Sequence, residues 1–520
     1  MANEYIAIPK EKFEFANKDM KLHDEKLKTK ARGYFADAFL RFRKNKSSVV
    51  AAWIILFLVI FAIVAPMISA FDIEDKDEVF RNFPPFVPAI AELGLGILDG
   101  SKLIDDYNEL EMQILAGIKA ETGCDPVIDA SNFEEWTVIE KGKLVTKKSY
   151  VNVKVNAYYM KGIRFVNISQ EEFLAIQEWQ NEKGIQVIYP YVFQEDVFEG
   201  VKGVLPKEDA SVWYKCKDTK FNAAYDADGN FVPAYCTDQT KASKVEYNSL
   251  RIEGDDGDYV YAIDKGSAVR VRVFHYTYYQ FKNNTTPNFF FGTDDFGRDL
   301  FCAIGMGARF SLIFAVLVSV VNLTIGAFYG AVQGYYGGWI DLLMDRISDI
   351  LSGMPFMVVI TLFQLHLAPK LGEYGALVAF FLAFIATGWI GMAALTRKQF
   401  YRFKSSEYVM AAKTLGARDG RIMFKHIFPN AIGTMVTSCA LVIPGVISSE
   451  TSLTYLKIID LAQFTGTSIG QLMSQGQQTG LDTPHTMLFP ALFVSLLLIS
   501  FNLFGNGLRD AFNPSTRGEE

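Results

Sequence analysis

Histidine and cysteine are scarce in this sequence, with five of each among 520 residues. The histidines are scattered and show none of the spacings that metal-ligand clusters have. The chain also lacks the Gly-x-x-x-x-Gly-Lys-Ser/Thr loop with which many nucleotide-hydrolysing proteins hold phosphates. Its formal net charge of -7 gives no reason to expect a nucleic-acid partner. We therefore expect neither catalysis by this chain nor a metal or cofactor bound to it.

Charge is missing from six long apolar stretches, although 21% of all residues are charged. These stretches are residues 49–69, 310–331, 350–367, 376–395, 431–449 and 487–504. About 18 or more apolar residues with few charges suffice to cross a bilayer as a helix. The third stretch is the weakest, because Pro355 interrupts it and Gln364 and His366 lie near its end. The sequence thus predicts an all-α polytopic membrane protein with six transmembrane helices, the first of them (residues 49–70) an uncleaved anchor.

Basic residues are concentrated on one side of these predicted helices. Those directly before the first helix are Arg41, Arg43, Lys44 and Lys46. Residues 397–430, between the fourth and fifth helices, are also strongly basic, whereas the loop after the third helix has only Lys370 and Glu373. Because basic residues mark the cytoplasmic side, we expect cytoplasmic tails at residues 1–48 and 515–520 and a cytoplasmic loop at 397–430.

The long segment between the first and second helices, residues 71–291, is then extracytoplasmic. Runs of β-branched, aromatic or alternating residues predict strands at 150–160, 185–193, 211–215, 259–263 and 268–279. Ser169, followed by Glu172, resembles a capping box and predicts a helix that continues to about Glu182. The insert is therefore predicted to be a folded α+β domain.

Two features of the insert allow more than one interpretation. Asp226–Asn230 resembles the start of a calcium loop, but the later ligands are missing, and an Asp-Gly turn is the simpler interpretation. Cys216 and Cys236 flank this stretch and are candidates for a disulfide, which would leave Cys124 unpaired. Connectivity cannot be read from spacing, so both states of the two cysteines stay open.

The 397–430 loop carries the most informative pattern. Ala411 to Thr414 favours a helix, and Gly416, four residues after Ala412, shares its face or ends the helix. A second helix is predicted to run to Pro429. The pattern is consistent with a docking element for a soluble partner and equally with a solvated helical hairpin.

This loop resembles the "EAA" loop of ABC importer permeases, whose short helix sits in a groove of the ATPase subunit. The matching residues are Ala411, Ala412, Gly416, Ile427 and Pro429. Met410 stands where that family has its acidic residue, and Glu407 lies one turn earlier. The resemblance implies that these residues couple the chain to an ATPase.

Three further stretches resemble the C-type subunit of peptide-transporting members of that family. Arg43 to Lys46 lead into a first helix that ends in Ala65-Pro66. The signature before the second helix is Gly292, Thr293, Asp294, Gly297, Arg298 and Asp299. The final-helix motif is Asn502, Gly505, Gly507, Leu508, Arg509 and Asp510. The family usually has a much shorter loop before the signature, and Ala394 and Ile469 replace an expected Arg and Trp.

The signature also has a direct physical interpretation. Asp294 and Asp295 can accept backbone N–H groups near the start of a helix, and Arg298 can pair with Asp299 or Asp294. The sequence leaves open whether this arrangement forms a gate or a structural cap.

The resemblance implies a type I ABC importer-like core at residues 292–514 that pairs with a second, non-identical permease in the cell membrane. Two cytoplasmic ATPases would hold ATP and Mg, and an extracytoplasmic binding protein would deliver oligopeptides. Relatives also handle dipeptides, nickel complexes and peptide antibiotics. We expect the insert to dock the binding protein or brace the second permease. A membrane receptor and an ion-driven secondary transporter are the rival classes, and neither predicts a tightly bound ATPase.

Overall fold

The computed structural model describes residues 34–512 with gaps. The gaps are residues 75, 95, 106, 108, 132, 141–142, 192–223, 230–231, 233–243, 246–248, 251–258, 462–463 and 465. Candidate membrane-crossing helices are TM1 (Lys46–Ile68), TM2 (Leu300–Tyr336), TM4 (Gly375–Lys404), TM5 (Asp419–Tyr455) and TM6 (His485–Phe512). A short helix, Tyr34–Lys44, precedes TM1. Five of the six predicted spans are therefore single helices in the described part of the chain.

The third predicted span is bent rather than straight. We call it TM3, and it consists of Gly338–Ser352 and Phe356–Lys370, which meet at 77°. Pro355 begins the second half, because its ring fixes φ and removes the N–H that would continue the first helix. The second half ends in a π-helical turn at Phe363–Leu367. The predicted third span, residues 350–367, is confirmed only if the two helices of this bent pair are counted together as one span.

TM2 is the centre of the bundle. Gly326, Gly330 and Gly334 recur every four residues and lie directly against TM4, so that an added Cβ would overlap Trp389, Ala393 or Phe400. Small residues at this spacing let two helix backbones approach closely in an apolar environment. The main apolar core joins TM2 to TM1, TM4, TM5, TM6 and the helix Ile469–Thr479.

An arginine completes the contact between TM1 and TM2. Pro66 lies inside TM1 and has no N–H, which leaves the carbonyl of Ala62 without its helical donor. Arg309 of TM2 donates from Nε to that carbonyl at 3.4 Å and from Nη2 to the carbonyl of Ile63 at 3.2 Å. The charged side chain thus replaces a hydrogen bond that the proline removes.

The inserted domain (residues 71–291) contains helices and strands among its described residues. One sheet has the order β1–β5–β2, formed by Ser101–Ile104, Val153–Asn156 and Val127–Asp129. A hairpin pairs β3 (Phe133–Glu140) with β4 (Lys143–Tyr150).

The second sheet is built around β10 (Val269–Phe274), and all its pairings are antiparallel. β6 (Ile163–Ile168) covers one edge, with Val271 opposite Val166. The other edge is shared by β7 (Ile188–Tyr189) and β9 (Ala262–Asp264), and β9 continues to β8 (Lys244–Val245). The helices of the domain are Pro88–Ala91, Glu109–Thr122, Ala157–Met160, Gln170–Lys183 and His275–Asn283.

Two strand predictions in this domain were too long. The run 150–160 forms β5 only to Asn156, whose side chain accepts from the N–H groups of Tyr158 and Tyr159 and turns the chain into a short helix. The run 268–279 is a strand only to Phe274, after which Tyr276 and Tyr279 enter an aromatic cluster from a helix. In both cases side-chain packing and capping outweigh the β propensity of Tyr and Val.

The other predictions for the insert have mixed outcomes. Among its described residues the run 185–193 contains the short strand β7, and the run 259–263 contains the start of β9. The helix after Ser169 is confirmed as Gln170–Lys183, with Ser169 Oγ accepting from the N–H of Glu172 at 3.1 Å. The predicted strand 211–215 and the pair Cys216 and Cys236 lie outside the described residues.

The Asp226 stretch contains the turn that was the simpler interpretation. Asp226 Oδ1 accepts from the N–H of Asp228 at 2.9 Å, and the Asp226 carbonyl accepts from Gly229 at 3.2 Å. No group of three or more metal-ligating side chains occurs among the residues that the structure describes.

A buried ion pair holds the inserted domain together. Arg272 of β10 donates from Nη1 and Nη2 to the two oxygens of Glu121 at 2.8 Å each, and Nη1 also donates to the carbonyl of Pro190. Burial raises the pKa of Glu121, and the charge and hydrogen bonds of Arg272 oppose this shift. Removing either partner would leave a buried charge without compensation.

Candidate functional site: two loops at the ends of TM2

The 397–430 loop folds into a short helix with a defined end. Glu407–Thr414 forms the helix, and Gly416 follows it with φ +80°. The N–H of Gly416 donates to the carbonyl of Lys413, and that of Ala417 to the carbonyl of Ala412. This pair of bonds is a Schellman motif, in which a glycine takes the left-handed conformation at little cost. Gly416 therefore ends the helix, and it does not share a helical face with Ala412.

The second part of the loop differs from its prediction. The helix that begins at Asp419 does not end at Pro429 but continues without interruption as TM5. A π-helical turn at Ile422–Ile427 directly precedes Phe428 and Pro429. Because proline lacks an N–H and its ring needs space one turn back, a widened turn accommodates it inside the helix.

The underside of the loop is anchored on TM2 and TM4. An apolar cluster joins Val409, Ile422, Met423 and Ile427 of the loop to Ala331, Tyr335 and Phe400. Tyr335 at the end of TM2 donates a hydrogen bond from its hydroxyl to Asp419 Oδ1 at 2.6 Å. The short helix is thus held against the bundle from one side only.

The exposed side of the loop carries two large apolar side chains among polar and charged ones. Leu415 is 88% exposed and Met410 is 60% exposed. Glu407, Ala411, Gly416 and Pro429 are exposed beside them, Ala412 is half-buried, and Ile427 is buried. The structure therefore places the predicted residues in the short helix, in the turn that ends it and at the start of TM5, some of them buried and the others exposed. Leu415 was missed in the sequence, although it is the one leucine in a basic, polar stretch.

The 292–299 loop at the other end of TM2 is built from buried polar contacts. Asp294 accepts at Oδ1 from the backbone N–H groups of Phe296 and Arg298, each at 2.9 Å. Arg298 donates from Nε to Asp294 Oδ2 at 2.8 Å and from Nη1 to the carbonyl of Gly466 at 2.8 Å. The sequence allows Arg298 to pair with Asp294 or with Asp299, and in the structure Arg298 pairs with Asp294.

The same loop ties TM1 and the insert to TM2. Thr293 accepts at Oγ1 from the N–H of Phe83 at 2.8 Å and donates to the carbonyl of Phe80. Gly297 has φ +75° and lies against the backbone of Asp77, where a Cβ would overlap the carbonyl oxygen. Gly292, with φ +79°, lies in the same way against Phe83 and His485.

Asp299 begins TM2 and contacts the end of TM1. Its carboxylate caps the helix by accepting from the N–H groups of Phe301 and Cys302, and it accepts from Ser69 Oγ at 2.8 Å. Burial raises the pKa of Asp299, and the hydrogen bonds from Ser69, Cys302 and Phe301 oppose that shift. No sequence pattern pointed to Ser69, Phe83 and Gly466 as the partners of Asp299, Thr293 and Arg298, respectively.

The final-helix motif places glycines where helices meet. Gly507 packs against Ser48 and Phe42, and Gly505 packs against Leu441 of TM5. Ser48 Oγ also donates to the carbonyl of Leu503 at 3.2 Å. Asn502, Arg509 and Asp510 are exposed and Leu508 is half-buried. The motif therefore positions the start of TM1 against the end of TM6.

The bundle of candidate spans defines a helical polytopic membrane protein. The sequence matches two family models. "Binding-protein-dependent transport system inner membrane component" matches residues 322–518, and "N-terminal TM domain of oligopeptide transport permease C" matches residues 33–85. This chain belongs to that transport family, in its branch of oligopeptide and dipeptide permeases. The two matches leave residues 86–321 between them.

Named relatives agree with this assignment. The dipeptide transport system permease protein DppC of Bacillus subtilis is 39% identical over 228 residues, which are 44% of this chain and 69% of that protein. The oligopeptide transport system permease protein OppC of the same organism is 39% identical over 227 residues, or 44% of this chain and 72% of that protein. Among solved structures, the inward-facing MetNI methionine ABC transporter covers 41% of this chain and 96% of its own at 14% identity and a TM-score of 0.31, a similarity too low to add to the assignment.

Proposed function

We propose that this subunit forms one half of a membrane pathway for oligopeptides and that ATPase subunits drive it through the 397–430 loop. The second half would be a non-identical permease. ATP and Mg would be held by the ATPases, because this chain has no phosphate-binding loop. An ATPase that changes shape during its cycle would shift the permease pair between two states of access.

The exposed face of the 397–430 loop is the observation that carries this proposal. A leucine that is 88% exposed and a methionine that is 60% exposed stand on a short helix whose other face is fixed to TM2 and TM4. Exposed apolar side chains on a rigid, small-residue surface are typical of a helix that inserts into a partner's groove. Basic residues surround this face and support a cytoplasmic location.

The same topology places residues 71–291 outside the cytoplasm in this proposal, where the insert would meet a substrate-binding protein or the second permease. Phe86 donates its backbone N–H to the carbonyl of Phe289, so the two ends of the domain lie side by side. A short turn that replaces residues 88–287 would therefore remove most of the domain without separating these ends. Unchanged uptake and unchanged recovery of the complex after that deletion would contradict a role of the insert in docking.

Affinity purification from native membranes, followed by mass spectrometry, tests the assembly. We expect a second permease, one or two ATPases with Walker motifs and a binding protein to be recovered with this chain. Leu415→Glu should remove the ATPases and leave the second permease in place. The matched control is Leu103→Glu in β1, because Leu103 is 64% exposed but lies in the inserted domain.

Two outcomes would contradict the proposal. Recovery of the chain alone, in good yield and under conditions that preserve other importers, would favour a receptor or a secondary transporter. Equal loss of ATPases with both variants would show that Leu415 does not carry the contact. Competition of a labelled oligopeptide with dipeptides, nickel complexes and peptide antibiotics in an uptake assay would then rank the substrate classes.

A further inference from the structure

A small cavity with a mainly apolar lining and a few polar side chains lies between TM2, TM4 and TM5, near the middle of TM2. Its volume is about 260 Å³. The lining residues that matter here are Ser319, Asn322, Gly388, Gly391, Ser438 and Cys439. None of the residues that line it is charged. Pockets for drug-sized ligands usually have roughly 300–1,000 Å³, so this one suits a short segment of a ligand.

Two buried acceptors in this cavity have no partner within the described part of the chain. Ser319 is 2% exposed and Asn322 is 4% exposed, and neither Ser319 Oγ nor Asn322 Oδ1 has a hydrogen bond. A buried polar atom without a partner costs folding free energy, and most buried polar atoms in proteins have a hydrogen-bond partner in the protein or in ordered water. These two atoms are therefore candidates for contact with a ligand.

The orientation of the Asn322 amide is set by its neighbours. Its Nδ2 donates to the carbonyl of Phe384 at 3.4 Å, which leaves Oδ1 for an outside donor. Gly388 lies directly against the same amide group, and a Cβ there would overlap it. Asn322 therefore has little freedom to turn its oxygen away from the cavity.

We propose that this cavity binds a backbone amide of the peptide during its passage through the permease, with Ser319 and Asn322 accepting from peptide N–H groups. The inference rests on the proposed function. Uncharged acceptors suit a neutral amide better than the charged ends of a peptide. Every peptide presents N–H groups regardless of its side chains, so such a site would hold the chain without reading its sequence.

Filling the cavity is the first test. Gly391 lines it, and a Cβ on Gly391 would meet no atom within 4 Å, so Gly391→Leu adds a side chain without a clash at its base. Gly445 of TM5 is the matched control, since a Cβ there also meets nothing within 4 Å and the residue does not line the cavity. In proteoliposomes with the complete importer, we expect Gly391→Leu to lower peptide uptake about tenfold, the effect of losing one or two hydrogen bonds. Gly445→Leu should transport as the unaltered complex does.

The second test asks whether the acceptors read peptide N–H groups. Uptake of one oligopeptide is compared with that of its backbone N-methylated form, and the ratio is measured for the unaltered complex and for Ser319→Ala. The preference of the binding protein is the same in both complexes and cancels in this double comparison. We expect the ratio to fall about threefold or more in Ser319→Ala, as expected when one hydrogen bond is lost.

The outcomes separate this inference from the proposed function. If the unaltered complex takes up no peptide, the proposed function fails, and the ligand assigned to this cavity fails with it. If uptake persists but neither variant changes the rate or the ratio, the cavity holds water only and the inference alone is overturned. If the second permease no longer copurifies with the Gly391→Leu variant, the cavity receives a side chain of that partner subunit. This result also overturns the inference.

Discussion

The 292–299 loop and the 397–430 loop lie at opposite ends of TM2 and are built in opposite ways. In the first, charged and polar side chains are buried and paired within this chain, as Asp294 is with Arg298. In the second, apolar side chains such as Leu415 and Met410 are exposed. The charged groups of the 292–299 loop are paired within the isolated subunit, whereas the 397–430 loop leaves apolar side chains exposed to solvent.

In our proposal, this difference separates residues that stabilise the permease from residues that contact an ATPase subunit. Both loops contain sequence motifs of the same family, and a motif alone does not distinguish the two roles. The burial of the side chains in the motif distinguishes them. Substitutions should therefore affect the free energy of unfolding at one end of TM2 and assembly at the other.

The largest expected effect on stability is that of Arg298→Leu. It leaves the Asp294 carboxylate buried without its cation, and breaking a buried pair costs about 3–5 kcal/mol. Thermal unfolding of the purified subunit in detergent measures the loss. Arg346→Gln is the control, since Arg346 is 67% exposed in its pair with Asp349 and such pairs contribute about 0–1 kcal/mol. Similar losses in both variants would contradict the comparison.

Asp77 lies beside the 292–299 loop, and Asp77→Asn should lower the free energy of unfolding by a smaller, pH-dependent amount. Burial raises the pKa of Asp77, but His275 and the N–H groups of Val79 and Phe80 together outweigh it, so the pKa lies below its usual range. A lowered carboxyl pKa stabilises the fold above the unfolded value of about 3.9 and stops doing so as pH falls through the folded value.

We therefore expect Asp77→Asn to cost about 1–2 kcal/mol at pH 7, the contribution of hydrogen bonds to a charged group. The difference from the unaltered protein should shrink as the pH is lowered below about 4. Glu182→Gln, at an exposed carboxylate, serves as the control in the same series of thermal unfolding measurements. A difference that stays constant across this pH range would show that the charge of Asp77 is not what matters.

Gly416→Ala should cost about 1–2 kcal/mol locally, because a side chain is strained at φ +80°. The matched change is Gly420→Ala, at a helical position where a Cβ meets no atom within 4 Å and alanine is favoured over glycine by up to about 1 kcal/mol. Hydrogen exchange of the Glu407–Thr414 amides reports the local change. Faster exchange in both variants would mean that the strain of a side chain in the left-handed conformation at position 416 is not the cause of the faster exchange.

The smallest effect on stability is expected from Leu415→Glu. Because Leu415 is 88% exposed, the substitution should change the unfolding free energy by less than about 0.5 kcal/mol. ATPase recovery should nevertheless be lost. A large drop in the unfolding temperature of the isolated subunit would place Leu415 among the structural residues instead and remove the contrast between the two loops.

The sequence predicts the spans well because a run of apolar residues is a local property. It predicts the anchored face of the 397–430 loop less well, since Tyr335 and Asp419 meet only after TM2 and TM5 have packed together. The sequence predicts a strand where a helix follows Phe274, because the ring contacts of Tyr276 with Tyr159 and of Tyr279 with Phe80 join residues that are far apart in the sequence. The choice of Asp294 over Asp299 as the partner of Arg298 likewise depends on the backbone turn between them.

TM5 connects the 397–430 loop to the cavity as one continuous helix. It carries Asp419 of the loop at one end and Cys439 of the cavity near its middle, 20 positions further along one helix, or about 30 Å at 1.5 Å per residue. A rigid tilt of about 5° at the loop would therefore move the cavity wall by about 2.6 Å, close to the width of a water molecule. The π-helical turn at Ile422–Ile427 lies between the two points, and in our proposal its stiffness would set how much of a movement of the loop reaches the middle of TM5.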